Sequence, residues 1–131
     1  MPDISGVHHI GLSVTDADKS ALWYGEVLGV QRVMDFDTDG CHTVMLAHPG
    51  SSFLFGLRQW ERGSGDGFDE FRTGMDHLSF TVADRGALED WERRLSELGV
   101  EHSPINDTEF GALLPFRDPD NIALELIAPA G

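Results

Sequence analysis

The stretch GVHHIGLSV at residues 6–14 returns in altered form as GMDHLSFTV at residues 74–82. Each copy is followed by an acidic turn, a helical stretch that ends in Leu-Gly-Val, and later a turn that contains proline. The spacing between the two copies stays almost constant along the chain. A repeat of this length indicates two copies of one supersecondary unit, packed into one pseudo-symmetric body.

The length of 131 residues suits one domain with a substantial core. We therefore expect residues 1–131 to form a single domain of two modules, 4–60 and 74–129. The linker between them, 61–73, is rich in glycine and contains Phe68 and Phe71. A plain connection is the simpler interpretation of this linker, and a lid or a dimer contact is the alternative.

The charge and the cysteine content exclude several classes of function. A formal net charge of −14 argues against nucleic acid and anionic membranes as partners, because both bind basic surfaces. No apolar run is long enough to span a membrane, and the start of the chain lacks a basic signal-peptide pattern. The single cysteine, Cys41, cannot form an internal disulfide. These features predict a cytoplasmic protein.

Each module has the pattern of one strand, one helix and three further strands. Asp16 and Asp84 are placed to cap the two helices, and Gly29 and Gly99 to end them. The predicted strands are Val7–Val14, Gln31–Phe36, His42–Ala47 and Ser52–Gln59, followed by Met75–Val82, Glu101–Ser103, Glu109–Phe116 and Asn121–Ile127. The sequence therefore predicts an α+β fold of eight strands and two helices.

Alternation along the strands places polar side chains on the sheet face away from the helices. In the first strand, His9 shares this face with Gly11 and Ser13, whereas His8 points to the helix side. In the second copy His77 occupies the position of His9, and Ser79 follows on the same face. Glu125 lies on that face of the last strand, because Leu124 and Leu126 point to the helices.

Two imidazoles and one carboxylate form a set of three ligands that leaves metal positions open for water and substrate. His9, His77 and Glu125 are therefore candidate ligands for one divalent ion: Fe, Mn, Ni, Co or Zn. Two alternatives stay open at this point. A lone strand histidine is more often structural than a ligand, and Glu125 would also suit an ion pair with Arg117.

Several motifs resemble those of the vicinal oxygen chelate superfamily, which includes glyoxalase I, bleomycin-resistance proteins, extradiol dioxygenases, fosfomycin-resistance thiol transferases and methylmalonyl-CoA epimerase. The resemblance covers almost the whole chain. It rests on the stretches His8–Val14, Trp23–Gly29, Met75–Leu78 and Phe116–Asn121, with Leu124-Glu125-Leu126 after them.

The resemblance implies paired βαβββ modules whose sheets form a curled eight-stranded cup with the helices outside. It implies metal ligands at His9, His77 and Glu125, and a metal that grips adjacent oxygens of a small organic substrate. The expected activity is that of a lyase, an isomerase or a ring-cleaving dioxygenase, in a homodimer. The alternative is a metal-free protein that sequesters a drug or metabolite, as the bleomycin-resistance type does.

Departures from the family pattern narrow these expectations. The repeat alignment places Phe55 opposite Glu125, so the fourth ligand of glyoxalase I is missing. The stretch before Glu125 also lacks the tyrosine of extradiol dioxygenases, since Tyr24 is the one tyrosine of the chain. The fosfomycin enzymes typically have threonine where this chain has Gly11.

Further residues complete the expected site. We expect Phe53 and Phe55 to give the cup an apolar wall, although core packing is an equally good explanation. Ser79 and Arg117 are candidate substrate-binding residues. His42 is a candidate acid or base beside the metal, with Glu125 as the other catalytic residue; the alternative for His42 is an exposed position at a strand edge.

Overall fold

The computed structural model describes residues 1–131, and the chain divides into two compact units, Met1–Asp66 and Gly67–Gly131. Both units have the order strand, helix, strand, strand, strand. The elements are β1 (Ile10–Ser13), α1 (Ala17–Leu28), β2 (Gln31–Thr38), β3 (Cys41–Ala47), β4 (Leu54–Trp60), β5 (Leu78–Thr81), α2 (Arg85–Glu97), β6 (Asn106–Thr108), β7 (Gly111–Arg117) and β8 (Ala123–Pro129). The α+β class and the two βαβββ modules are thus confirmed.

Each unit contains one four-stranded mixed sheet, and the two sheets have the same topology. The strand orders are β1-β4-β3-β2 and β5-β8-β7-β6. In each sheet the first strand runs parallel to the last, and the other neighbours are antiparallel. The parallel pairing comprises four residues in each sheet, and both β1 and β5 begin three residues later than the sequence pattern predicts.

One helix covers one face of each sheet. α1 packs on its own sheet mainly through β3 and β4, and α2 packs on β7 and β8. Under α1, Tyr24 is fully buried and meets Phe55 edge to face. Under α2, the buried residues Leu88 and Leu95 face the buried side chains of the sheet, which are Ala112, Leu114, Phe116, Leu124 and Leu126. We call this the helix-covered face of each sheet, and the opposite one the helix-free face.

The residues predicted to cap the helices do so in the structure. The Asp16 carboxylate accepts a hydrogen bond from the backbone N–H of Lys19, and Asp84 accepts one from Ala87. These bonds satisfy N–H groups that have no partner inside the helix. After α1, Gly29 has the left-handed conformation that favours glycine, with φ of 72°.

The strand β2 is exposed along its whole length. All eight of its residues are accessible to solvent, and it forms one edge of the first sheet. Val33, Met34 and Phe36 are large apolar side chains among them. The register of β2 against β3 shifts between Arg32 and Met34, where the strand bulges.

One sequence expectation about the strands of the second unit needs correction. Glu101–Ser103 is not a strand, because only His102 bridges to Phe116. The second strand of this unit, β6, instead comprises Asn106–Thr108 and pairs with β7. No helix of the structure is long and apolar enough to cross a membrane.

Candidate metal and substrate site

Glu125 and Ser79 form a hydrogen-bonded pair on the helix-free face of the second sheet. The two residues are register partners of the parallel strands β5 and β8. The Ser79 hydroxyl donates to Glu125 Oε1 over 2.9 Å. One carboxylate oxygen is thereby held in place, while the other remains available to a ligand. The face predicted for Glu125 is confirmed by the burial of its neighbours Leu124 and Leu126.

His77 lies just before β5 and is oriented by its neighbour. Its Nδ1 is 2.8 Å from Asp76 Oδ1, so the ring hydrogen on Nδ1 has a carboxylate acceptor. This contact fixes the tautomer that leaves Nε2 free as an electron-pair donor. A carboxylate bound to the second nitrogen is the usual partner of a metal-binding histidine. His77 and Glu125 therefore each have the second contact that is expected of a metal ligand.

Arg117 binds a carboxylate of the chain itself. Its guanidinium donates to both oxygens of Glu70, over 3.2 and 3.0 Å, and to the carbonyl of Asn121 over 3.0 Å. The pair holds the pKa of Glu70 below its usual range and raises that of Arg117. Glu125 has Ser79 as its partner, so the alternative ion pair between Glu125 and Arg117 is not formed.

The residues that follow the first unit are bound to the turn between β7 and β8. The Phe68 N–H donates to the carbonyl of Asp120 over 2.7 Å, and the Asn121 amide donates to the Phe68 carbonyl. Together with the contact between Glu70 and Arg117, these bonds tie the last part of the expected linker to the second sheet. Phe71 is almost fully exposed.

His9 and His8 both precede β1 and are in contact with each other. Their Nδ1 atoms are 2.8 Å apart, and their rings meet edge to face. The expectation that these side chains point to opposite faces of a strand is therefore wrong, because the strand begins only at Ile10. In this pairing one Nδ1 donates and the other accepts, and Nε2 of His9 remains available to a ligand.

The first sheet has two glycines where the second has Ser79 and Glu125. Gly11 and Gly56 are register partners of β1 and β4, and they occupy the corresponding position of the repeat. The sequence alignment is therefore wrong by one residue at this strand, since it places Phe55 there. A Cβ on Gly56 would lie 2.8 Å from the sulfur of Met45, so this side chain fills the space.

Phe55 and Phe53 lie away from the helix-free face. Phe55 is 1% exposed and packs against Tyr24 of α1. Phe53 stacks between Phe55 and His48, with centroid distances of 5.7 and 5.6 Å. The expectation that these rings line the substrate cavity is corrected, because the one-residue error in the alignment inverts the faces of β4. Phe55 lies in the core, and Phe53 lies at the margin of the core.

His42 is part of a network on the helix-covered side of the first sheet. Its Nδ1 is 2.7 Å from Asp37 of β2, and its Nε2 is 3.3 Å from Asp18 of α1. Arg32 binds the same Asp18 over 2.6 Å. The carboxylate of Asp37, followed by that of Asp18, raises the pKa of His42. The contact with Arg32, followed by that with His42, lowers the pKa of Asp18.

The network places His42 on the opposite side of β3 from Met45 and the two glycines. This position gives no support to an acid or base role beside the metal. Sequence reasoning also missed Asp76 and Glu70, which hold His77 and Arg117. The adjacency of Asp76 to His77 was a usable signal, whereas Glu70 lies in a linker without a pattern.

The three candidate ligands are divided between the two units of the chain. No group of three or more His, Cys, Asp or Glu side chains lies close enough together to hold a metal ion. The second unit supplies His77 and Glu125 with their partners, and the first supplies His9. The donor chemistry of the three residues fits a divalent ion, since each has one free nitrogen or oxygen.

Comparison with known proteins identifies the family of the chain. Residues 6–126 match the model of the Glyoxalase/Bleomycin resistance protein/Dioxygenase superfamily. The chain belongs to this superfamily. The match spans both units, from the start of the first repeat to the strand that contains Glu125.

Two proteins of Bacillus subtilis (strain 168) are similar to this superfamily member in sequence. YwkD is 30% identical over 127 residues, which cover 94% of this chain and 96% of YwkD. MhqO, described as a putative ring-cleaving dioxygenase, is 28% identical over 134 residues, which cover 93% of this chain. The matched region is 39% of MhqO, so the chain spans well under half of that relative.

Solved structures share the fold. A glyoxylase/bleomycin resistance protein/dioxygenase domain from Frankia sp. EAN1pec is 38% identical, with a TM-score of 0.89 over 98% of this chain and 94% of that one. The fosfomycin resistance protein FosX from Listeria monocytogenes, complexed with Mn(II) and sulfate, is 22% identical. Its TM-score is 0.74 over 98% of this chain and 93% of FosX. At that identity the similarity to FosX establishes the fold alone.

Proposed function

We propose that this superfamily member is a metal-dependent enzyme that acts on a small organic molecule with adjacent oxygen atoms. His9, His77 and Glu125 are the proposed ligands of one divalent ion: Fe, Mn, Ni, Co or Zn. The observation that carries the proposal is the arrangement in the second unit. There, two candidate ligands sit at the start of β5 and on β8, each with the second contact that orients a ligand.

The protein residues have distinct proposed tasks. Asp76 keeps the hydrogen of His77 on Nδ1, and Ser79 holds one oxygen of Glu125. A divalent ion held by these residues would supply a Lewis acid that stabilises negative charge on substrate oxygens. Glu125 is also the proposed catalytic base for a proton that leaves the substrate. Arg117 is paired with Glu70, so the predicted binding of substrate to Arg117 requires the substrate to displace that carboxylate or to share the guanidinium with it.

The relatives support the class of chemistry. FosX was crystallised with Mn(II), and MhqO is described as a putative ring-cleaving dioxygenase. Both descriptions fit a metal that binds vicinal oxygens. Lyase, isomerase and ring-cleaving dioxygenase activities all use such a complex, and the dioxygenase is the first to be tested.

We further propose that the chain forms a homodimer. A site built within one copy and a site shared between two copies both fit the proposed ligand set. Both sheets have exposed edges, which pairing would cover. The homodimer and the cytoplasmic location stay predictions.

Metal content tests the proposed ligands directly. Protein purified without chelators should contain close to one divalent ion per chain, and His77→Ala, His9→Ala and Glu125→Ala should each lose most of it. His48→Ala is the matched control, because His48 contacts only its own turn and Phe53. Unchanged metal in His77→Ala would contradict the proposal.

Substitution of His8 separates the two adjacent histidines. His8→Ala should retain the metal with an affinity lowered by about tenfold, because His8 touches His9 without being a ligand. Loss of metal in His8→Ala with retention in His9→Ala would exchange their roles.

Activity is tested with two substrates of different chemistry. Protein loaded with Fe(II) should be given catechol and followed for ring cleavage, and protein loaded with Ni(II) or Zn(II) should be given the thiol adduct of a 2-oxoaldehyde. Glu125→Gln should abolish the activity found. Protein that contains no metal and tightly binds a large apolar compound would favour sequestration instead.

A further inference from the structure

The helix-free face of the first sheet has one charged residue, Arg58. Register partners share a face, so the face can be read from the pairing of the strands. Apart from Gly11 and Gly56, its larger residues include Met45 of β3, Arg58 and Trp60 of β4, and Gln31, Met34 and Phe36 of β2. In a chain with a formal net charge of −14 this face contains no carboxylate.

The carboxylates of the same sheet are all turned to the other face. Asp35 and Asp37 are register partners of Val44 and His42, on the side that α1 covers. They bind Arg32 and His42 there, together with Asp18 of α1. The separation leaves Arg58 without a compensating charge on its own face.

Arg58 forms no ion pair within the chain, in contrast to most other arginines. Arg32, Arg85 and Arg117 each bind a carboxylate. The Arg58 side chain is half-buried, and its guanidinium carbon lies 5.1 Å from the centre of the Trp60 ring. A guanidinium over an indole keeps its hydrogen-bond donors at the edge, where they can bind a planar anion.

The glycine pair lets this side chain lie flat on the sheet. A Cβ on Gly11 would be 3.6 Å from Cδ of Arg58, and a Cβ on Gly56 would be 2.8 Å from the sulfur of Met45. The stem of Arg58 therefore crosses Gly11, and Met45 crosses Gly56. Gly11 is two residues after His9, the proposed ligand from this unit. The surface next to His9 is thus apolar with a single fixed cation.

We infer that Arg58 binds the carboxylate or another oxyanion of the substrate, and that the substrate is a small, largely apolar or aromatic monoanion. The inference rests on the proposed function, because it takes His9 as part of the site. Met34, Phe36, Met45 and Trp60 supply apolar contact surface, and the guanidinium forms two hydrogen bonds to a planar anion. A cationic compound of the same shape should bind more weakly, because the guanidinium repels it.

Three catechols of different charge test the inference. The probes are 3,4-dihydroxybenzoate, catechol and dopamine, an anion, a neutral molecule and a cation with the same vicinal oxygens. Each is titrated calorimetrically into the metal-loaded protein as purified. The wild-type protein should bind the anion about tenfold or more tighter than catechol, and dopamine most weakly.

Variants of Arg58 should change this order in a defined way. Arg58→Met should bind anion and neutral molecule with affinities within about twofold to threefold of each other, and its affinity for catechol should stay unchanged. Arg58→Glu should prefer dopamine. Arg62→Met is the control, because it removes the same charge from an exposed arginine without an ion pair and should keep the wild-type order.

Three results would overturn the inference. The first is a wild-type preference for the anion that persists in Arg58→Met, and the second is no binding of the anion at all. The third is a shift of the monomer–dimer equilibrium in Arg58→Met without a change of selectivity, which would assign Arg58 to a carboxylate of the partner copy. Failure of the proposed function has a different signature, since no probe would then depend on the metal or on His77.

Discussion

The hydroxyl of Ser79 is a small group with a measurable consequence for metal affinity. It donates to Glu125 Oε1 and so restricts the carboxylate to one orientation. We expect Ser79→Ala to weaken metal binding by about 10–100-fold, because partners of metal ligands have effects of this size. Competition with a chelator of known affinity measures the change.

The next residue on the same face provides the control for this variant. Thr81 is a register partner of Ile127, which has no carboxylate to hold. Thr81→Ala should leave metal affinity at the wild-type value. Equal effects of the two substitutions would show that a general change of β5, rather than the bond to Glu125, is responsible.

The contacts of His42 predict how stability depends on pH. Asp37 and Asp18 raise its pKa in the folded protein above the ordinary value of about 6.5. The folded state therefore binds the proton more tightly than the unfolded state, and the stabilisation is complete below that pH. We expect the unfolding free energy to decrease as the pH rises from about 6.5 through the folded pKa.

Urea denaturation at a series of pH values tests this expectation. His42→Gln should lose the decrease, since glutamine has no proton to release in this range. His102→Gln should keep it, because His102 contacts only Ser96 and the carbonyl of Ser103 and has no carboxylate partner. An identical pH profile for His42→Gln and wild type would refute the assignment.

For single residues, the sequence alone predicts the sheet face of a side chain where the residue lies in a strand with regular alternation. The face of Glu125 follows from its buried neighbours Leu124 and Leu126, and Ser79 follows from the same parity. Phe55 could not be placed in this way, because the two repeats differ in length by a few residues and the position of the difference is not visible. One residue of error inverts a strand.

Among the elements, the turn between β7 and β8 sets the direction of the strand that contains Glu125. Asp118 is 6% exposed, and its Oδ1 accepts hydrogen bonds of 2.8 Å from the N–H groups of Asp120 and Ile122. Asp118→Ala should lower the unfolding free energy by about 1–3 kcal/mol, because it leaves a buried N–H without an acceptor. Urea denaturation measures the loss.

The equivalent turn of the first unit offers a matched comparison. His48 takes the place of Asp118, and its Nδ1 accepts two exposed hydrogen bonds, from the Gly50 N–H over 3.1 Å and from the Ser51 hydroxyl over 3.2 Å. His48→Ala should change the unfolding free energy by no more than about 0.5 kcal/mol. If the two variants were equally destabilised, the burial of Asp118 would not be the cause.

The helices were predictable from capping residues and periodicity, and the edge strands were not. Asp16 and Asp84 begin the helices as expected, because capping is a local property of a few residues. The lengths of β1 and β5 depend on how many residues of each pair with the parallel neighbour, which is β4 for β1 and β8 for β5. The position of β6 depends on its pairing with β7, which no local pattern reveals.

For the whole molecule, mixing two inactive variants tests whether copies share a site. His9→Ala and His77→Ala are each expected to lose the metal. If one copy supplies His9 and the other His77, a mixed dimer has one complete site. Random exchange makes about half of the dimers mixed, so an equal mixture should recover about a quarter of the wild-type metal content.

The control for the mixture is a pair of variants that impair the same unit. His77→Ala with Glu125→Ala leaves every shared site without one ligand, and the mixture should recover nothing. No recovery with His9→Ala and His77→Ala, in protein shown by sedimentation to form mixed dimers, would place the site within one chain. The repeat predicted which residues are equivalent, but equivalence in a repeat does not specify whether partners come from one copy or two.

The exposed strand β2 has a consequence for the colloidal behaviour of the protein. A long edge with Val33, Met34 and Phe36 accessible is a template for the addition of further strands. The bulge after Arg32 and the carboxylates of Asp35 and Asp37 disturb that template, and the surplus of negative charge keeps molecules apart. Acidification neutralises the carboxylates of the edge and the repulsion between molecules together. Aggregation at low pH should therefore start at β2, and much less at β6, which has three residues.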